Sequence, residues 1–344
     1  MLKNLIILLV VVTCVLASQE SKDSKDKEIR KRTKFNSHLR KHRKNYENLP
    51  EEVRVRRREN YLKNLDLIEK HNKEGKHRFK LGSNAYSDRH PERFVDDMCG
   101  TKIPQMTRSL PLPPAILAST TPASPAVDWR PNYTQPIVNQ GQCACCWAFS
   151  AVSVVEAFNE IRGKGMTAMS PQNLVDCDTT NSGCNGGWPR ATLDFIKSNY
   201  GTKLANSINY PYTSGTTKVA GSCKSPPSVP LNFTTPFQFF LNGNATALKK
   251  IISNYGPVAI AMQVSSSGLF QNYKTGIFSD ASCPGPNQCG TVNHAMVAVG
   301  YGSTAGQEYF IVRNSWGSSW GESGYIRMAM GNTCNVACWA IGVE

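Results

Sequence analysis

The stretch Gln140-Gly141-Gln142-Cys143-Ala144-Cys145-Cys146 puts three cysteines in four positions directly before an apolar run. From Trp147 to Ile161 that run has neither glycine nor proline, and Gly163 stands beyond Arg162 as a C-terminal stop. The pattern predicts a mostly buried helix of about four turns with Cys146 at its N-terminus. Unpaired N–H groups and the macrodipole favour an anion there, so a thiol at that place gains thiolate character. Clustered cysteines also suit disulfides or a metal site, and the spacing by itself does not separate these readings.

A thiolate nucleophile needs a base or ion-pair partner, for which imidazole is the usual choice. Of the six histidines, His38, His42, His71, His77 and His90 lie upstream and His294 follows the cysteines. His294 opens an apolar run, 292–302, that reads as a buried strand closing in a glycine turn. A second strand, 308–313, runs into Asn314-Ser315-Trp316-Gly317. An asparagine there would hold the second imidazole nitrogen and fix its tautomer, with Trp316 shielding the bond from water. A core histidine and a turn asparagine are the plain alternatives.

Gln140-Gly141, Cys146-Trp147-Ala148-Phe149-Ser150, Cys184-Asn185-Gly186-Gly187, Asn293-His294-Ala295 and Asn314-Ser315-Trp316-Gly317 together resemble the papain-like cysteine peptidases. The likeness spans nearly the whole chain after its N-terminal apolar run. The interval of roughly 150 residues between Cys146 and His294 fits the family's cysteine and histidine.

The resemblance implies an α+β papain-like fold with a helical lobe, a β-barrel-like lobe and a cleft between them. It implies an endopeptidase working through an acyl-enzyme: Cys146 as nucleophile, His294 as its ion-pair partner, Asn314 orienting the ring. The Gln140 amide and the Cys146 N–H would form the oxyanion hole. Gly186 and Gly187 match positions that bind substrate backbone, close approach being open to residues without side chains. Trp188, Pro189, Ala261, Val292, Ala295 and Trp339 match the S2 pocket, all uncharged, and Trp316 borders the substrate site. An apolar P2 residue is therefore expected.

Setting Cys145 and Cys146 aside leaves eight cysteines after residue 124, enough for four disulfides in an oxidising compartment. By resemblance Cys143 pairs with Cys184 and Cys177 with Cys223. Cys283, Cys289, Cys334 and Cys338 keep all three of their connectivities. Two departures stand out: Ala144 replaces a usual glycine, and Cys145 replaces a serine-like residue. The latter leaves a second thiol beside the nucleophile, where a Cys145–Cys146 disulfide would make activity sensitive to oxidation.

The first third differs in character. Lys3 precedes an apolar run from Leu5 to Leu16, and Val15-Leu16-Ala17 fits a signal-peptide cleavage site, so residues 1–17, Cys14 included, read as a secretory signal. Through residue 124 there are 26 Lys and Arg against 15 Asp and Glu, so +11 of the chain's +14 lies there. Basic clusters such as 40–44 and 54–58 raise nucleic-acid or anionic-surface binding, but a solvated helical face explains them more simply. Arg57, Tyr61, Asn64, Ile68 and Asn72 fall on one helical face. They resemble the interspersed pattern of cathepsin L-like propeptides, with Val53 where a glutamate is expected. Gly82-Ser83-Asn84-Ala85-Tyr86-Ser87-Asp88 resembles the same family's Gly-x-Asn-x-Phe-x-Asp segment. Residues 18–124 thus read as an inhibitory prosegment and linker, and 125–344 as the peptidase. Carboxylates paired with bases at neutral pH, Asp88 foremost, would lose that support in acid. Cys99 has no cysteine near it in sequence.

Asn132, Asn232 and Asn244 open N-glycosylation sequons. The implied partners are protein or peptide substrates and the chain's own prosegment, acting as inhibitor. No cofactor, metal, nucleic acid or membrane is expected, and a monomer in the secretory pathway, bound for the lysosome or the cell exterior, is. Two alternatives from other classes are a catalytically weak homologue acting as a binder, and a metal scaffold built on Cys143, Cys145 and Cys146.

Overall fold

A computed structural model describes residues 26, 28–104, 124–165, 167–283, 288–331 and 333–344. The expected signal at 1–17 and nearly all of the Pro-rich linker lie outside these residues.

The expected cysteine helix runs Cys146–Glu160, and all of it up to Asn159 is buried. A helix apolar on every side must sit inside a domain, and this one is covered by two others. Pro171–Cys177 begins with Ser170, whose side chain accepts from Asn173 N, and with Pro171 in its first turn. Pro189–Tyr200 stops at Gly201, which is left-handed. These three helices form one half of the molecule.

The other half is a sheet. Its strands are β1 (Phe79–Leu81), β2 (Val127–Asp128), β5 (Pro236–Phe240), β6 (Val258–Met262), β7 (Tyr273–Phe278), β8 (His294–Thr304), β9 (Gln307–Arg313), β10 (Tyr325–Ala329) and β11 (Trp339–Val343). Their order is β1-β7-β10-β9-β8-β6-β11-β5, with β2 beside β8. A separate pair, β3 (Lys203–Ala205) and β4 (Ser228–Pro230), edges the helical half. Nine consecutive residues of β8, from His294, are buried, as expected of a strand covered on both faces. The cysteine helix packs on β8, so residues from two halves meet along one seam.

Four disulfides staple the fold: Cys143–Cys184, Cys177–Cys223, Cys283–Cys334 and Cys289–Cys338. The first two are the expected pairs. The last two select one of the three connectivities that the sequence left open.

The N-terminal region is built around the helix Glu51–Glu74, preceded by a helix through 28–41. Tyr61, Asn64 and Ile68 are buried as the helical face predicts, and His71 joins them. Asn72 holds Leu81 in both directions, accepting from its N–H and donating to its C=O. This brings in β1, which pairs antiparallel with β7 and so extends the sheet of the other domain. Ile68, Phe79, Leu81, Tyr86, Phe94 and Met98 belong to the same apolar core as the β half. Among the described residues no helix is long and apolar enough to cross a membrane.

Candidate active site

Cys146 begins the cysteine helix and His294 begins β8, so the seam between the halves brings them together. Asn314 follows β9 on the turn after Arg313. His294 Nε2 lies 2.9 Å from Asn314 Oδ1. The same Oδ1 accepts the Ser315 N–H at 2.8 Å, which identifies it as the oxygen. Nε2 must then carry the ring hydrogen, and Nδ1, which makes no other hydrogen bond, is left for the thiol. Trp316 stacks on the imidazole at 4.8 Å between centroids, and His294 and Asn314 are both buried. The pair is dry and its tautomer fixed.

The thiol responds to this arrangement. Burial alone would push Cys146 up. The charge and hydrogen bonding of His294, with hydrogen bonds to Thr101 and the Ala295 main chain, bring it down to about 7. A group of that kind is substantially ionised near neutrality. Cys145 does the opposite: its Sγ lies 3.1 Å from Tyr212 OH, and burial pushes its thiol well up. Cys145 and Cys146 are both free thiols, and Cys145 is engaged by the half-buried Tyr212.

Gln140 aims its amide into the cleft. Its Nε2 donates to Met98 O and Cys143 O, both at 2.9 Å, and Ser315 Oγ donates to its Oε1 at 2.6 Å. Asn314 and Ser315 thus serve two different groups from adjacent positions on one turn.

The segment from Met98 to Ile103 occupies the cleft. Gly187 N donates to Gly100 O at 2.8 Å, Lys102 N to Gly187 O at 3.0 Å, and Thr101 N to Asn293 O at 2.8 Å. Thr101 and Gly187 form a parallel bridge. Gly187 therefore makes a strand-like contact with the chain's own N-terminal segment. Gly186, at φ 108, shapes the turn, and a Cβ on it would come within 2.3 Å of Gly100 O. Gly100 is required in turn: its Cβ would lie 2.0 Å from Ala144 O and 2.8 Å from the Ala144 methyl. Thr101 Oγ1 sits 3.2 Å from Cys146 Sγ. The fold also brings Cys99 close enough to Cys146 for their charges to interact, and burial raises the Cys99 thiol well above its ordinary value.

The expected pocket residues divide. Trp188, Ala261 and Trp339 lie in one apolar cluster, against which Val292 and Ile103 pack. Trp188 and Trp339 meet edge to face at 5.5 Å, and Trp188 Nε1 donates to Gln238 Oε1. Ala295 is the strand partner of Ala261, and Pro189 opens its helix. Trp316 is covered by the prosegment in this precursor. It is 1 % exposed and takes the edges of Phe94 at 4.8 Å and Phe270 at 5.4 Å. It is a lid over His294, as expected, and a seat for the N-terminal region. Met98, Gly100, Thr101 and Tyr212 were absent from the sequence reading, and Ser315 entered it only within a motif, without a role. Most act through main chain or through partners distant in sequence, which leave no local pattern. Among the described residues no group of three or more His, Cys, Asp or Glu could hold a metal ion.

A fold in two halves with Cys, His and Asn along their seam and an N-terminal segment across it defines a cysteine peptidase in precursor form. The comparisons give the family. Residues 123–342 match the papain family cysteine proteases, and residues 35–94 match the cathepsin propeptide inhibitor domain (I29). Digestive cysteine proteinase 1 of Homarus americanus is 36% identical over 288 residues, covering 80% of this chain and 84% of its own length. Cathepsin K of Gallus gallus is 36% identical over 271 residues, 76% of each chain. The structure of digestive procathepsin L 3 from Tenebrio molitor larval midgut superposes with a TM-score of 0.79 at 29% identity, covering 91% of this chain and 99% of that one. The chain belongs to the papain family of cysteine proteases, as the zymogen of a cysteine endopeptidase with a cathepsin-type inhibitory prosegment.

Proposed function

We propose that Cys146 is the nucleophile of this endopeptidase, activated by His294, with Asn314 holding the ring and Gln140 with the Cys146 N–H receiving the oxyanion. The Cys146 thiolate attacks the scissile carbonyl carbon, and the carbonyl π pair moves onto oxygen. That oxygen is stabilised by donors already oriented in the site, a contribution of about 2.7–4 kcal/mol for each donor. His294 then protonates the leaving amine as the intermediate collapses to a thioester, and afterwards draws a proton from the water that hydrolyses it. Trp316 keeps the His294–Asn314 bond out of water throughout.

One observation carries this reading: the prosegment lies on the same groups a substrate would use, yet in a form that cannot be cut. Gln140 addresses the carbonyl of Met98 while Cys146 faces the side chain of Thr101. Attack requires the nucleophile and the oxyanion donor to meet at one carbonyl, and here they meet residues three apart. The chain is bound, and the bond is safe.

The molecule is read as a signal at 1–17, a prosegment and linker at 18–124 and a peptidase domain at 125–344, with maturation by cleavage in the linker. It is read as a monomer of the secretory pathway, lysosomal or extracellular, with neither nucleic acid nor membrane as partner. Asn132, Asn232 and Asn244 all belong to exposed residues and are its glycosylation sites. Asn244 also caps the helix Ala245–Tyr255, and the Asn232 amide donates to Asn159. The P2 pocket formed around Ala261, Val292 and Trp339 takes apolar side chains.

The test compares acid-matured wild type with Cys146→Ala, His294→Ala and Asn314→Ala on a peptide library. Expected are internal cuts after an apolar P2 residue, and a loss of roughly 10⁴-fold or more for Cys146→Ala. A Cys146→Ala protein that still cleaves would remove the assignment.

A further inference from the structure

The oxyanion donor is itself held by groups that this mechanism does not use. Gln140 is tied from the β half twice, by its own N–H to Ser315 O at 2.8 Å and by Ser315 Oγ to its side chain. A third tie comes from the opposite, helical half. Tyr212 OH donates to the Gln140 carbonyl oxygen at 2.7 Å. A carbonyl only accepts, so the single phenolic hydrogen is committed to that bond. The Tyr212 oxygen also lies 3.1 Å from Cys145 Sγ. With its hydrogen spent, it accepts there, and Cys145 must be the donor. The direction of the chain is thus fixed: Cys145 S–H to Tyr212 O–H to Gln140 C=O.

The surroundings hold this chain in place. Cys145 is fully buried, which keeps its thiol neutral and able to donate. The Phe149 ring meets Tyr212 edge to face at 4.9 Å. On the far side, Gly215 passes so close that a Cβ on it would lie 2.8 Å from Tyr212 Cε1. Gly141, next to Gln140, is left-handed at φ 63 and unusually free in backbone conformation. Without the Tyr212 tie, the Gln140 carbonyl loses its hydrogen bond, and the helical half holds this loop only through Gln140 Nε2 to Cys143 O and Gln142 N–H to Gly215 O.

We propose that Tyr212 is a positioning residue for the oxyanion hole, and that Cys145 is the neutral thiol donor that orients its hydroxyl. The proposal rests on the reading of Gln140 as oxyanion donor given above. It assigns the second thiol of the active-site sequence a role in geometry, not in nucleophilic attack or disulfide exchange.

Wild type, Tyr212→Phe, Cys145→Ala, Cys145→Ser and Gln140→Ala precursors are matured in acid and compared by three readouts. These are kcat/KM on a peptide amide, affinity for a peptide aldehyde, and the rate of Cys146 alkylation by iodoacetamide. Addition of the Cys146 sulfur to the aldehyde carbon leaves an oxygen in the oxyanion position, so the first two readouts need Gln140. Alkylation displaces iodide from a CH₂ group and does not.

Tyr212→Phe and Cys145→Ala are each expected to lower kcat/KM and aldehyde affinity about tenfold, less than the hundredfold that a full 1 Å misplacement costs, with the wild-type alkylation rate retained. Cys145→Ser, whose hydroxyl also donates, restores what Cys145→Ala loses. Added to Gln140→Ala, Tyr212→Phe has no further effect on aldehyde affinity, because the two changes act through one group.

Unchanged kcat/KM and aldehyde affinity in Tyr212→Phe, or a parallel loss of alkylation, would overturn the proposal, and failure of Cys145→Ser to rescue would remove the donor role of Cys145. Where Tyr212→Phe does not mature, Cys145→Ala and its serine rescue decide. Wild-type aldehyde affinity in Gln140→Ala would instead refute the oxyanion assignment beneath it.

Discussion

Between Phe79 and Phe94 the prosegment holds the peptidase by side chains and one added strand; between Met98 and Lys102 it holds the cleft mainly by main chain. The first stretch places four large residues in the core of the β half and adds β1 to its sheet. Asn84 reaches Gln271 O, Ser87 Oγ reaches Asn272 Oδ1, and Tyr86 OH reaches Trp316 O. The second stretch makes backbone hydrogen bonds to Gly187 and Asn293 and presents one carbonyl to Gln140. An anchor made of fitted side chains is specific to this partner. A plug made of main chain imitates any peptide and is weak alone, and it gains occupancy from the effective concentration that the anchor confers.

That difference orders the consequences of mutation. Phe94 is fully buried and packs on both Tyr86 and Trp316. Phe94→Ala should cost the docked prosegment about 3–5 kcal/mol, so hydrolysis by uncut precursor at pH 7 rises by roughly two to three and a half orders of magnitude. A short assay with gel proof of an intact precursor measures it, and a silent Phe94→Ala would deny that the anchor carries the affinity. Gly100→Ala acts on the plug through its clash with Ala144 O and should cost about 1–3 kcal/mol. The same assay should show an intermediate leak, with thermal unfolding of the precursor unchanged. Thr101→Val removes only the contact with Cys146 Sγ, worth about 0.5–1.5 kcal/mol, and should raise the leak a few-fold. Were Thr101→Val to exceed Phe94→Ala, anchor and plug would have exchanged roles.

What the sequence made legible follows the same division. The cysteine helix, the histidine strand and the asparagine turn were readable because periodicity and glycine stops act locally. The anchor was readable in part, since Tyr61, Asn64 and Ile68 share a helical face and Asp88 stands in a known pattern. The plug was invisible. Its contacts are main-chain bonds to Gly187 and Asn293, and nothing in Met98-Cys99-Gly100-Thr101 is periodic. The pairing of Cys283 with Cys334 and Cys289 with Cys338 depends on how β11 and its preceding loop return to the sheet, which spacing does not encode. The cover that Phe94 gives Trp316 was equally unreadable, because it joins residues far apart in sequence.

The acid response also falls on different residues than the charge pattern suggested. Against its burial, Asp88 is held well below the usual carboxylate range by His38, Lys44 and Tyr46, with Lys44 Nζ at 2.5 Å and Tyr46 OH at 2.6 Å. A carboxyl with a lowered folded pKa stabilises above its unfolded value, about 3.9, and loses that contribution only below it. Asp88 therefore keeps the anchor together through mild acid. His42 and His71 behave differently. Burial first, then the charges of His38, Lys41 and Lys44, hold His42 down at about 4, partly opposed by Asp88. Burial likewise lowers His71, beside Phe79, His77, Glu74 and Lys80. Both imidazoles resist protonation in the docked prosegment more than in an unfolded one, which takes up a proton near pH 6.5. For both, the contribution to stability is complete above pH 6.5 and is lost as pH falls below it, for His42 through about 4.

The central claim is that one prosegment closes the site at neutral pH and that its anchor releases the plug in acid. The most direct measurement is the rate at which a peptidyl reagent selective for active-site thiols labels Cys146 in freshly diluted precursor, from pH 7 to 4, before any cleavage. Labelling should be negligible at pH 7 and rise between pH 6.5 and 4, with a shallower rise in His42→Gln/His71→Gln precursor. Labelling of intact wild-type precursor at pH 7 at the rate of the mature enzyme would contradict the account.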